Sequence, residues 1–371
     1  MNIIHYNPFG NKTIAYYIDT LSKSMGKENV CRTVNTVMQF RAEINRQPAD
    51  IVNIHGCWHD SMAMVASMAV SHGARIVVTP HGQLEPWIMR QQRFTRKLYQ
   101  RLLYQRRIIA RAYAVIVMGE MELRNLQILG WSHRIETIPC SLFTSSISNE
   151  GMAQLTTSVY RKVLDSNVLP LMSSTTTTAL HSLFKAAITT DGRWLDDHEL
   201  QAITSLEADQ WRQMEIYGHH TATLSYIHKG AASIGVTPPD CRPESIACYP
   251  PRHSMGDEGW APVEPLAANE HGQHTPDDII SMTKALQHKV RHHTFGMADV
   301  LQLSHTLFLL RTDEDEVRYQ LDDKQLSKFM SRMMHIVGHF TLLSEGFYLV
   351  SPRCDYKTRR IIKSILKQLE I

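Results

Sequence analysis

Residues 75–87 read RIVVTPHGQLEPW: a run of apolar and β-branched residues enters a proline, a histidine and a glycine, and a glutamate follows between leucine and proline. Ile76, Val77, Val78 and Thr79 show no alternation, so the run predicts a strand covered on both faces, the signature of a parallel sheet flanked by helices. In open α/β sheets ligands bind beyond the carboxyl ends of the strands, which makes His81 a candidate site residue and Gly82 a point where a ligand can approach the backbone. The alternative is a tight turn with a hydrogen-bonded histidine. His55-Gly56 repeats the pattern at the end of an earlier apolar run, next to Trp58 and His59, which leave packing as its alternative role. Gly10 and Asn11 follow the first strand and precede a helix, where backbone N–H groups can hold a hydroxyl or a phosphate. Glu85 either binds a ligand or caps the helix that follows it. Gln83 is expected to be a bystander whose replacement changes neither stability nor activity.

The elements that must position these residues alternate in the first 140 residues. Apolar runs at residues 1–6, 50–55, 75–79, 113–118 and 134–138, with a weaker one at 29–34, predict about six strands. Amphipathic stretches at 14–25, 37–46, 61–72, 88–111 and 120–129 predict the intervening helices. Right-handed crossovers then give a doubly wound parallel sheet of Rossmann-like α/β class. Beyond Pro139 the periodicity turns helical, so the expected division is an α/β domain at 1–142, a helical region at 150–235, a proline-rich loop or linker at 236–276, and a second helical region at 277–371. Residues 238–276 hold eight of the fifteen prolines.

Four segments of the α/β part carry a resemblance: NPFGN after strand one, NIHGCWHD at the end of strand three, VVTPHGQLEPW at the end of strand four, and VMGEMELRNLQILGWSHRIETIPCS closing the domain. Together they resemble the acceptor-side, N-terminal domain of family 4 glycosyltransferases of the GT-B fold, and Thr79 to Trp87 is the most specific match. Glu122, Gly130, Ile138 and Pro139 fit the family's closing segment, whereas Gly119 stands for its serine and Cys140-Ser141 for its Asn-Gly. The C-terminal half is unmatched. The family's donor-site loop has no counterpart, and Glu199, Glu207 and Glu215, eight apart on a continuous helix, rotate by about 80° per step and form no single site.

The resemblance implies a glycosyltransferase that moves a sugar from a nucleotide sugar to a glycan or lipid-linked acceptor in surface polysaccharide synthesis, with no metal and no cofactor beyond the donor substrate. It implies that His81 is catalytic and contacts the transferred sugar, and that Gly10, Asn11, His55, Gly56, Gly82, Glu85 and Glu122 belong to the substrate site. The competing reading is an inactive binding or scaffold protein that has lost its donor domain and works with a partner subunit.

Composition bounds these readings. The 371 residues are 43% hydrophobic, enough for two domains, and the formal net charge of +3 gives no reason to expect nucleic acid. Six cysteines at irregular spacing and an N-terminus without a basic region followed by an apolar run predict a cytoplasmic protein. Arg90, Arg93, Arg96, Lys97, Arg101, Arg106, Arg107 and Arg111 crowd residues 88–111, with no acidic residue between Glu85 and Glu120. That stretch is either a membrane-surface helix, placing the protein at the inner face of the membrane, or an ordinary solvated helix.

Overall fold

The computed structural model describes residues 1–90, 104–240, 247–249 and 275–370. The described residues form two compact units, one comprising Met1–Ser166 with Ala247–Tyr249 and the other beginning at Asn167.

The first unit is a six-stranded parallel sheet built from β1 (Asn2–Tyr6), β2 (Val30–Val34), β3 (Ile51–His55), β4 (Arg75–Thr79), β5 (Ala114–Val117) and β6 (Ile135–Thr137), in the order β2-β1-β3-β4-β5-β6. β3, β4 and β5 are buried at every position, which is why their sequences show continuous apolar runs rather than alternation. Between them run α1 (Lys12–Ser24), α2 (Val37–Arg46), α3 (Ser61–Ser71), α4 (Pro86–Arg90), α5 (Arg106–Arg111) and α6 (Glu120–Leu129), and α7 (Asn149–Asp165) follows the sheet. Strand order reverses between β1 and β3, so the crevice of this sheet opens beyond their carboxyl ends.

The two faces of the sheet differ in chemistry. Ile4, Tyr6, Val52, Ile54, Ile76 and Val78 pack with Phe40, Ile44, Val65 and Leu126 of α2, α3 and α6 in one apolar core. On the other face the parallel register aligns His5 with Asn53 and His55 with Thr79, and side-chain alternation places all four together. α1 and α7 pack against each other over it. The Asn53 amide donates to the Tyr160 hydroxyl of α7 at 2.8 Å and its oxygen accepts from Thr79 Oγ1 at 3.0 Å. Buried Arg75 donates to the Ser166 carbonyl at 2.6 Å and lies 4.1 Å from the centroid of the Tyr113 ring. α7 and residues 247–249 therefore extend the first unit past residue 142. Tyr249 ties in through Ser166 and Glu136, both at 2.8 Å.

The described part of the second unit is helical: α8 (Ser174–Thr189), α9 (Asp197–Thr204), α10 (Ala208–His220), α11 (Leu224–Ser233), α12 (Pro276–Arg291), α13 (Met297–Leu309), α14 (Glu314–Asp323), α15 (Ser327–Thr341) and α16 (Tyr356–Leu366), with short 3-10 turns. The polar run at 173–178 begins α8, with Ser173 as its cap accepting from the Thr176 N–H. Thr275 and Pro276 start α12 as a cap and a first-turn proline. α8 packs against α9, α10, α11, α13 and α15. A Cβ on Gly230 of α11 would strike the Leu183 carbonyl of α8, so the glycine permits that close helix crossing. The sheet followed by a mainly helical region is the fold class the sequence predicts. Residues 241–246 and 250–274 of the proline-rich stretch, and 91–103 of the basic stretch, lie outside the described residues.

Candidate functional site

β4 ends where it does for a backbone reason. Pro80 has no N–H for the ladder, and the next two residues turn left-handed, His81 at φ 55° and Gly82 at φ 77°. A histidine in that region carries a strain that glycine does not, and its neighbours must hold it there. Glu122 supplies the hold: its carboxylate accepts from the Gly82 N–H at 3.2 Å and the Leu84 N–H at 3.1 Å, while Asn125 of the same helix donates to the Leu84 carbonyl at 2.6 Å. Glu122 is 1% exposed, and burial pushes its carboxyl up to about 7 against those hydrogen bonds.

The loop after β3 is pinned to the loop after β4. Gln83 accepts from the Cys57 N–H through its side-chain oxygen at 2.6 Å, and from the Trp58 indole N–H through its carbonyl at 3.0 Å. Gln105 accepts from the Trp58 N–H at 2.9 Å. Gln83 is thus a tether between two loops rather than the bystander expected from its sequence position. Gly56, at φ 87°, lies under Phe9, whose ring a Cβ there would strike, and its N–H donates to the Thr79 carbonyl at 2.8 Å.

Three imidazoles cross the sheet edge in a row. His5 Nδ1 lies 2.9 Å from His55 Nε2, and His55 Nδ1 lies 2.9 Å from His81 Nε2. The Tyr17 ring of α1 stands edge-on to His81 and His55 at centroid separations of 5.0 and 6.0 Å. His5 and His55 are fully buried and His81 is half-buried. Burial pulls His5 and His81 down to about 4, and burial together with the neighbouring His81 and His5 holds His55 well below the ordinary histidine value. At neutral pH the row is uncharged, so it offers oriented hydrogen bonds rather than positive charge.

The sequence-derived residues therefore divide by position. His55, His81, Gly56 and Gly82 share the carboxyl edge of β3 and β4, with His55 behind His81 and reaching outward only through it. Glu122 sits beneath the loop and supports it. Glu85 accepts from the Trp87 indole at 2.9 Å. Asn11 caps α1 by accepting from the Thr13 N–H at 2.8 Å, and Gly10 beside it is left-handed at φ 59° with open space where a Cβ would lie. His5 joins the site without belonging to any histidine-glycine motif of the sequence. The signal was present: a polar residue in a buried strand, in register with Asn53 and so two residues from the alignment of His55.

Residues 26–141 match the glycosyl transferase 4-like domain family. Comparisons with curated proteins and with solved structures return no match. The matched segment holds β2 to β6, both histidine-glycine loops and Glu122, so the first unit is similar to a glycosyltransferase 4-like domain of the N-terminal GT-B type.

Proposed function

We propose that this glycosyltransferase-like protein transfers a sugar from a nucleotide-sugar donor to a glycan or lipid-linked acceptor in surface polysaccharide synthesis, on the cytoplasmic side of the membrane. The observation that carries the reading is His81-Gly82, held left-handed at the carboxyl end of β4 inside the segment that matches the family. His81 is the catalytic residue, its neutral ring hydrogen-bonding an oxygen of the transferred sugar as charge develops at the anomeric carbon. Gly82 and Gly56 let the substrate approach the backbone, and Gly10 and Asn11 border the site from the loop after β1. His55 and Glu122 serve it from behind. Glu85, half-buried beside the helix start, contributes an acceptor-facing carboxylate.

His81→Ala tests this. Loss of one oriented hydrogen bond to the transition state costs about 3 to 4 kcal/mol, or 10² to 10³ in rate. Transfer by the full chain should fall by that factor, with thermal unfolding lowered only by the few degrees that follow from leaving buried His55 without its partner, and Met38→Ala, at an 84% exposed position, should alter neither. Full activity in a normally folded His81→Ala protein removes the residue from the mechanism.

The membrane part of the reading rests on the basic stretch. Arg106, Arg107 and Arg111 of α5 are exposed while Ile108 and Ile109 are buried, which fits a basic face turned outward. No helix among the described residues is long and apolar enough to cross a membrane. Cosedimentation with anionic but not zwitterionic vesicles is the expected result, and equal cosedimentation with neither removes the surface role.

A second reading, a binding or scaffold protein working with a partner subunit, is favoured by one observation: every strand among the described residues belongs to the first unit.

A further inference from the structure

The histidine row has a direction, and proton counting finds it. Each N···N contact, His5 to His55 and His55 to His81, needs one protonated nitrogen and one bare nitrogen. Burial keeps all three rings neutral at pH 7, so each carries a single ring proton. Two arrangements satisfy both contacts. In one, His81 Nε2–H donates to His55 Nδ1, His55 Nε2–H donates to His5 Nδ1, and the third proton sits on His5 Nε2. In the other every donation runs outward, from His5 Nδ1 to His55 Nε2 and from His55 Nδ1 to His81 Nε2, and the third proton sits on His81 Nδ1.

The buried end decides between them. His5 Nε2 is buried with no hydrogen-bond partner among the described residues. A proton there would strand an N–H donor in the core, and orphaned buried N–H groups are rarer in proteins than under-used acceptors. At the other end His81 is half-buried at the sheet edge, where an N–H finds solvent or a ligand.

We propose that His5 and His55 are positioning residues that fix the tautomer of His81, placing its proton on Nδ1 and making the ring a neutral hydrogen-bond donor toward an oxygen of the bound substrate. A hydroxyl or phosphoryl oxygen fits such a donor, and an ammonium or another N–H does not. The inference deepens the catalytic reading of His81 and rests on it for its kinetic consequence alone. The tautomer itself is a property of the unliganded chain.

The experiment is a long-range proton–nitrogen correlation spectrum of the full chain with ¹⁵N-labelled histidine at neutral pH, the three rings assigned by the signals lost in His5→Phe, His55→Gln and His81→Gln. The expected pattern has protonated Nδ1 and bare Nε2 on all three rings. A protonated Nε2 on His81 overturns the proposal. His5→Asn keeps a side-chain N–H where Nδ1 stood, and His5→Phe leaves His55 Nε2 as the buried partnerless end, so both should leave His81 in the same tautomer, whereas His5→Asp puts an acceptor there and should draw the His55 proton to Nε2 and the His81 proton to Nε2. An unchanged His81 in His5→Asp also overturns it. In transfer assays His5→Asp should lower kcat by about ten- to a hundredfold with KM little moved, the range for outer partners that orient histidines, and His5→Asn should keep most of the activity. If the wild-type chain transfers no sugar, the proposed function fails while the spectrum still decides the tautomer.

Discussion

Burial pushes the Glu122 carboxyl up to about 7 even though Gly82 and Leu84 both donate to it, so near neutral pH the group that holds the His81 loop is shared between its two protonation states. In an unfolded chain the same carboxyl titrates near 4.5. Between those values the folded state binds a proton that the unfolded state has released, and stability falls as pH rises. The contribution is fully present below the unfolded value and lost through pH 7, and is on the order of 3 kcal/mol for a shift of this size. Glu122→Gln abolishes the titration and leaves one backbone N–H facing an amide N–H, a mismatch of about 1–3 kcal/mol. Urea unfolding at pH 5 and pH 8 should show wild type well above the variant at pH 5 and the gap narrowing at pH 8. Parallel pH profiles would show that Glu122 is not perturbed as its burial requires. The three site histidines titrate alike in both proteins and drop out of the difference.

At the scale of elements, periodicity and breakers carry far. The runs at 75–79, 37–46 and 120–129 coincide with β4, α2 and α6 because each is bounded by local chemistry: Pro80 ends the strand, Thr36 caps α2 through a capping box, and left-handed Gly130 closes α6. What local sequence does not hold is which strands become neighbours. Only the order β1-β3-β4 brings His5, His55 and His81 into a row, and only α7, more than a hundred residues from β3 in the hydrogen bond that joins them, shows why Asn53 is polar. Gln83 was missed for the same reason, since its partner Cys57 is set by loop packing. Gly56 is the element-scale test. At φ 87° with Phe9 overhead, Gly56→Ala meets a backbone penalty of about 1–2 kcal/mol together with displacement of the ring. Gly10→Ala, also left-handed but with open space at its Cβ, meets only the backbone part. Denaturant midpoints should rank wild type, then Gly10→Ala, then Gly56→Ala, and the loss in Gly56→Ala should appear in the His55 and His81 ring signals. Equal midpoints for the two alanine variants would mean Phe9 does not constrain this loop.

For the whole molecule, the issue is where a nucleotide sugar would be held. The first unit has one switch-point crevice beyond β1 and β3, and its histidine row is neutral, so it offers a diphosphate hydrogen bonds but no charge neutralisation. The described second unit buries its helices around Phe184, Trp211, Met330 and Phe340, and its least exposed ion pairs, Lys185–Glu199, Lys289–Asp299 and Arg332–Asp355, match those three cations with carboxylates. A cation paired in this way gives up one partner to gain another, and the net attraction for a phosphate is small. Titration calorimetry of the full chain with a panel of nucleotide sugars is therefore expected to show dissociation constants of about 1 mM or weaker, which is a binding free energy of only about 4 kcal/mol. Under that outcome transfer needs a partner subunit to complete the donor site, and the acceptor, not the donor, is the ligand whose binding should respond to changes at Gly10, Gly56 and Gly82. A micromolar constant for any donor, about 8 kcal/mol, would place the donor site on this chain, remove the need for the partner, and set the scaffold reading aside.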